Sequence, residues 1–216
     1  MAADNPTRFV EHIVLFKAKP EVEPDRVDAM VQNLQNLASI ETVLHFTAGP
    51  IRNFRPSSSL TFTHMIYSRY ATKEDLDGFA VHPVHLGVIG QTKPLLDDVM
   101  AVDWWHSSDS ITIPSGSVLR VSFLKLKDNL EETEKNQLLG IIEGLKDKFP
   151  SIQELSVGEN FSPARCKGFS IASVAVFKDA GELEKFDSEW EAVASEQRDL
   201  MKEKVEDAIV FDYVKP

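Results

Sequence analysis

Val10-Glu11-His12-Ile13-Val14-Leu15-Phe16-Lys17 is a short apolar, β-prone run that ends in a charge, which predicts a buried strand. Leu119 to Lys127 has the same character, and Val14-Leu15-Phe16-Lys17 aligns with Ser122-Phe123-Leu124-Lys125. The match continues downstream, where Asp75-Leu76-Asp77-Gly78-Phe79 aligns with Glu182-Leu183-Glu184-Lys185-Phe186. Residues 10–106 and 119–214 therefore read as two copies of one unit, each about the size of a single-core domain. The expected organisation is a first domain over 8–106, a linker over 107–117 and a second domain over 118–214.

Within the first copy, Pro24 and Asp25 mark a helix start, and Val27, Met30, Val31, Leu34 and Leu37 share one helical face. Thr42 to Ala48 returns to strand and stops at Gly49-Pro50. Asn53 to Ser59 is polar and reads as a flexible loop, and Leu60 to Tyr70 as a long strand. Thr72 followed by Glu74 and Asp75 opens a helix. His82-Pro83-Val84-His85 restarts one that runs to about Leu96, and Asp98 to Trp105 is the last strand. The order is β-α-β-β-α-β. The second copy repeats it, with helices over Glu131–Phe149 and Glu182–Lys204, and with Asp103-Trp104-Trp105 falling on Val210-Phe211-Asp212. Each copy predicts a four-stranded antiparallel sheet with both helices on one face. The bare face needs cover, and the sheet of the other copy is the natural cover. The fold class is α+β: tandem ferredoxin-like units packed as a dimeric-type α/β barrel. Linkage favours that pairing within one chain, and a further homodimer is compatible with it. The linker carries Pro114, Gly116 and five serines, which reads as a short mobile hinge.

The net charge is −11, and both halves are acidic: residues 1–108 hold 9 basic and 13 acidic side chains, residues 109–216 hold 14 and 21. Without a basic patch in either half, nucleic acid and anionic membrane surfaces are not expected partners. No apolar run approaches the roughly 20 residues of a membrane span, so membrane insertion is not expected. The start lacks the basic-then-apolar pattern of a secretory signal, and Cys166 is the only cysteine. A cytoplasmic protein is the expectation.

All six histidines, His12, His45, His64, His82, His85 and His106, lie in the first copy. Alignment places His12 against Arg120, His64 against Ile171, His82 against Glu189 and His85 against Ala192. Titratable groups kept in one half suggest a site there, with the other half as scaffold. His82 and His85, three apart on a helix, share a face, and imidazole can act as a general base near neutral pH. A plainer reading stands beside it, in which Pro83 opens a helix and His82 caps it. His12 and His64 alternate with apolar neighbours in strands. They either line a cavity or sit as hydrogen-bonded core histidines.

The chain resembles the stress-responsive A/B barrel (Dabb) family. The residues that carry the resemblance are His12 to Lys17, Thr63-His64-Met65, Asp98 to Asp103 and above all Phe79-Ala80-Val81-His82-Pro83-Val84-His85-Leu86. It covers the first copy, and the second matches in pattern without the histidines. The architecture is similar to plant two-domain members, which implies a stress-response or plant-defence protein, antifungal in some relatives, acting as a stable non-enzymatic barrel. The family also holds an enzyme, olivetolic acid cyclase. Similarity to it implies the alternative: an aldol-type polyketide cyclase or a carrier of a small apolar ligand. His85 would then be the catalytic base, with His12, His64, Phe79 and His82 around the pocket. That cyclase has a tyrosine where this chain has Phe79. A phenyl ring cannot donate to an oxyanion, and loss of such a donor costs on the order of 3 kcal/mol. Tyr67 and Tyr70 are the nearest other hydroxyls. No cofactor is expected. The resemblance allows one hard cation, Mg2+, on backbone carbonyls around Gln35, Ala38 and Glu41. Cys166, between Arg165 and Lys167, reads as an incidental thiol.

Overall fold

The computed structural model describes residues 7–193 and 195–216. The first copy runs β1 (Thr7–Ala18), α1 (Pro24–Gln35), β2 (His45–Pro50), β3 (Arg52–Pro56), β4 (His64–Tyr70), α2 (Lys73–Val81), α3 (Pro83–Thr92) and β5 (Leu96–Ser108). The second runs β6 (Val118–Leu126), α4 (Glu132–Glu143), α5 (Leu145–Lys148), β7 (Ile152–Glu159), β8 (Ile171–Phe177), α6 (Ala180–Val193), α7 (Ser195–Lys204) and β9 (Val205–Val214). Helix starts follow local chemistry. Thr72 accepts a hydrogen bond from the Asp75 amide while the Asp75 carboxylate accepts one from the Thr72 amide, each at 3.1 Å. A cap of this kind is worth about 1 kcal/mol. At the start of α4 the Glu131 amide donates to the Glu134 carboxylate at 3.2 Å, and the Glu134 amide donates to the Glu131 carbonyl at 3.0 Å.

Two antiparallel sheets result, ordered β2-β4-β1-β5 and β3-β9-β6-β8-β7. Apart from β3, the second repeats the first, with β6, β7, β8 and β9 in the places of β1, β2, β4 and β5. The repetition reaches the irregularities: the β1–β5 ladder slips at Lys17/Ala18 and the β6–β9 ladder at Lys125/Leu126, positions that align.

Alternation along the strands assigns the faces. Ile13, Leu15, Met65, Tyr67, Val102 and Trp104 of one sheet meet Leu119, Val121, Phe123, Val174, Phe211 and Tyr213 of the other in one core. Each such side chain contributes about 1.5–3 kcal/mol when fully buried. The opposite face of the first sheet, with Val10, Phe16, Ile66 and Tyr70, packs beneath Met30, Leu34, Leu76 and Phe79 of α1 and α2. The second copy covers its own outer face in the same way, through Phe149, Phe177, Phe186, Leu138 and Ile142. The two copies thus bury each other's sheets within one chain.

The backbone ladders of the two sheets stay separate, so the barrel-type packing takes the form of two facing sheets. Side chains tie their edges. Trp104 Nε1 donates to Ser156 Oγ at 2.7 Å, and the Thr47 and Tyr213 hydroxyls lie 2.6 Å apart. Gly158 permits the close approach of β7 to β5, since a Cβ there would stand 2.8 Å from Trp104 Cδ1.

Three segments differ from expectation, the first being the strand read over Leu60–Tyr70, which is confined to β4 at His64–Tyr70. Asn53–Ser59, read as a flexible loop, supplies β3, which crosses to the second copy and pairs with β9. Phe54 packs on Phe62 and Phe211 at ring separations of 6.2 and 6.4 Å, while Asn53 Nδ2 and Arg55 Nη2 donate to the buried Asp212 at 3.0 and 3.3 Å. The linker, read as a mobile hinge, is tied down. Arg69 Nη1 donates to the carbonyls of Ser110 and Ile111 at 3.1 and 2.9 Å, and Ile113 is buried in the core between the sheets. No described helix is long and apolar enough to cross a membrane.

Candidate functional site

The helix-facing side of the first sheet does not close completely beneath its helices. A cavity of about 810 Å³ lies there, walled by Val14, Phe16, Ile66 and Ala101 from the strands and Leu34, Leu76, Phe79 and Ile89 from the helices. Nine polar residues complete the lining: His12, His85, Asp103, Thr92, Ser162, Lys73, Asp77, Lys93 and Arg165. Of the five residues singled out from the sequence, the structure brings three together in this lining: His12, Phe79 and His85.

His12 stands directly opposite Asp103 in the β1–β5 ladder, and its Nδ1 is hydrogen-bonded to Asp103 Oδ1. A carboxylate can only accept, so Nδ1 is the donor in this bond. Burial pushes the Asp103 carboxyl up, but the charge and hydrogen bond of His12, with a hydrogen bond from Ser162, outweigh it and hold the group below its ordinary value. His85 Nδ1 donates to the Ala80 carbonyl at 3.0 Å, which leaves Nε2 with the lone pair in the neutral ring. Burial lowers the His85 pKa from the ordinary 6.5, and the positive fields of His12, Arg165 and His82 act in the same direction against the Ala80 bond. His85 is therefore largely neutral at pH 7, the form a general base requires.

The remaining two residues lie outside the lining. His64 stacks flat on Phe16 with ring centres 5.6 Å apart, and its Nδ1 meets Thr63 Oγ1 at 2.8 Å. His82 is the cap of α3: its Nδ1 accepts from the Val84 amide at 3.2 Å, as the plainer reading had it. That ring serves the helix end and is not part of the cavity lining.

Neither alternative hydroxyl replaces the missing tyrosine. Phe79 packs on His85 at 4.6 Å. Tyr70 is on the same side of the sheet but wholly buried, 5.2 Å from the Phe79 ring and outside the cavity lining; its hydroxyl accepts from Ser68 Oγ at 3.1 Å. Tyr67 points to the other face, where its hydroxyl accepts from Arg69 at 2.9 Å.

The second copy is more than scaffold. Its segment Phe161–Arg165, after β7, forms one wall of the cavity. It is fastened to β5 at the partner of His12: Phe161 N donates to Asp103 O at 2.9 Å, and Asp103 N and Ser162 N both donate to Asn160 Oδ1 at 3.0 Å. Sequence reasoning missed this wall and missed Asp103. The copies also correspond differently at their ends. The ladders pair His12 with Asp103 and Arg120 with Asp212, so Asp103 matches Asp212, two residues away from the alignment made on sequence. Where the first copy has a histidine–carboxylate pair, the second has an ion pair, Arg120 Nε to Asp212 Oδ1 at 2.8 Å, closed over by Asn53, Arg55 and Asp187.

A second polar cluster lies on the opposite face, between the sheets. Arg69, fully buried, reaches both oxygens of Glu11 at 3.1 and 3.2 Å and Glu154 at 2.6 Å. The ligand atoms of Glu11, His106 and Glu154 lie within 4.8 Å of one another. The guanidinium already supplies the positive charge those carboxylates need, so the trio fits a metal poorly. The backbone positions considered for Mg2+ fall at the exit of α1: Gln35 is its last residue, Ala38 lies in the 3-10 turn Asn36–Ser39, and Glu41 follows. Partial negative charge is general to such an end.

The model of the stress-responsive A/B barrel domain matches twice, over residues 10–106 and 118–215. The chain belongs to the stress-response A/B barrel family. Two stress-response A/B barrel domain-containing proteins of Arabidopsis thaliana are similar over nearly the whole length. One is 43% identical over 220 residues, covering 100% of this chain and 82% of that protein. The other is 38% identical over 211 residues, covering 96% of this chain and 97% of that protein. Among solved structures, one from Fusobacterium nucleatum described as a putative monooxygenase aligns over 100% of both chains at a TM-score of 0.62 and 11% identity, a likeness of fold alone.

Proposed function

We propose that this stress-response A/B barrel protein binds a small, mostly apolar organic molecule in the cavity of its first copy, with His85 and His12 facing it. The observation that carries this reading is the cavity: about 810 Å³, with mostly apolar walls and polar side chains that include His12 and His85. That is the size and character of a small-molecule site. A defence or antifungal barrel acting through stability alone has no use for such a space, so the ligand-binding reading is favoured over the inert one. His85 Nε2 is suited to accept a hydrogen bond from an acidic hydroxyl or to take a proton from a carbon next to a carbonyl. Phe79 offers no hydroxyl to the resulting enolate, which favours binding over aldol-type turnover.

Thermal denaturation with a panel of alkyl resorcinols and aromatic polyketides tests the reading. A ligand at a hundred times its Kd stabilises by about 2.7 kcal/mol, which for a chain of this size raises Tm by roughly 5–10 °C. The shift should disappear in Val99→Trp, which adds bulk at a partly exposed position of the lining, and shrink in His85→Ala. Equal shifts in all three proteins, or none with any compound, contradict it.

A further inference from the structure

We propose that the ligand is an organic carboxylate with an apolar body, and that Arg165, contributed by the second copy, is the residue that selects it. This rests on the binding reading above and adds the charge of the ligand and the residue that reads it.

The chain carries a net charge of −11, yet the residues around this cavity invert that balance. Lys73, Lys93 and Arg165 line it, against two acids, Asp77 and Asp103. Asp103 is already bound by His12 and Ser162. None of the three cations makes an ion pair among the described residues. Lys73 Nζ lies 3.8 Å over the ring of Phe161, which leaves its charge unneutralised. Free cations gathered at an apolar cavity in an acidic protein focus the field on an incoming anion.

Arg165 differs from the two lysines in geometry and in support. Its planar fork matches a carboxylate with two parallel hydrogen bonds, where an ammonium offers a point charge. It ends the 3-10 turn Pro163–Arg165, and the backbone on both sides is fixed. Upstream, the bonds of Asn160 and Phe161 to Asp103 hold the segment to β5. Downstream, Phe169 N donates to Cys166 O at 3.0 Å, and Lys167 and Gly168 turn the chain with φ of 52° and 87°. The Arg165 charge is felt at both Asp103 and His85, whose pKa values it lowers, so the side chain stands within electrostatic reach of the imidazole end of the cavity. An anion held at Arg165, with its apolar part against Phe16, Ile66 and Leu76, draws on both the free cation and the apolar walls of the lining. The first copy then supplies the container and the second the selector.

The test compares 2-naphthoate with its methyl ester by calorimetric titration, using the full chain and its Arg165→Ala and Arg165→Glu variants. Arg165 is exposed, so both variants should fold, and ester binding is the internal control. The expected result is tighter binding of the acid by wild type, by about tenfold or more, as for a charge-assisted hydrogen bond. Arg165→Ala should remove most of that preference and Arg165→Glu should reverse it, with the ester unchanged. Raising salt from about 0.05 to about 0.5 M should weaken the acid alone. Equal affinity for acid and ester, or equal weakening of both by Arg165→Ala, overturns the selector while leaving the cavity reading standing. Failure of wild type to bind either compound overturns this inference, and overturns the cavity reading as well where no compound of the panel above shifts Tm.

Discussion

His45 should make this protein lose stability in mild acid, and replacing it should remove that loss. The ring is 6% exposed, lies edge-on to Tyr67 at 5.7 Å, and leaves Nε2 without a hydrogen-bond partner. Burial first, then the positive charges of Arg69 and Lys215, lower its pKa from 6.5 to about 3, against a smaller opposing pull from Glu154. Between those two values the unfolded chain binds a proton at this position and the folded chain does not. Stability therefore falls as pH falls through 6.5 and levels off only below about 3. At pH 5 the unfolded histidine is about 1.5 units below its own pKa. At about 1.4 kcal/mol per unit, the folded state loses roughly 2 kcal/mol relative to pH 7. His45→Phe keeps the ring against Tyr67 and removes the proton. Urea denaturation of both proteins at pH 7 and pH 5 isolates the contribution, because every other titrating group is common to the two. Wild type should lose about 2 kcal/mol more than the variant over that interval. Parallel losses, within about 0.5 kcal/mol, would refute the reasoning.

Three further outcomes follow from the packing and the charges. Arg69→Met leaves Glu11 and Glu154 buried without their cation and should cost about 3–5 kcal/mol in urea denaturation; a cost below about 1 kcal/mol would mean the network is not held as described. Gly158→Ala drives a methyl group into Trp104 and should destabilise by about 1–3 kcal/mol, visible as a lower Tm with altered tryptophan fluorescence. Asp103, Glu154 and Asp212 are all held below their ordinary carboxyl values against their burial. The stability they contribute is present above about pH 4 and is lost as pH falls through their lowered values. Asp212→Asn should therefore flatten the acid limb of the denaturation profile below about pH 4, while an unchanged limb would remove Asp212 from that account.

Much of the fold was legible because it is repeated. Two runs with the same alternation, each followed by a helix start with proline or acids, fix strand and helix types without any long-range information. Facing sheets follow from the need to cover an apolar surface. What was not legible depends on contacts between the copies. Arg52–Pro56 is largely polar in sequence, and partners more than 150 residues away, the buried Asp212 and the β9 backbone among them, make a strand of it. The linker reads as flexible until Arg69 is known to seek carbonyls there. At the site, His12 and His85 were visible as histidines, but Asp103 was not recognised, although β1 and β5 are neighbours in any antiparallel unit of this order. A register was needed to place it opposite His12. Arg165 carried no local signal, since its place is set by a loop folding over the other copy.

The most direct measurement is the imidazole 15N–1H spectrum of the six histidines during titration with 2-naphthoate. The account predicts that resonances of His12 and His85 move with added ligand while those of His45, His64, His82 and His106 stay in place. Shifts at His64 or His82 with His12 and His85 unmoved would contradict it.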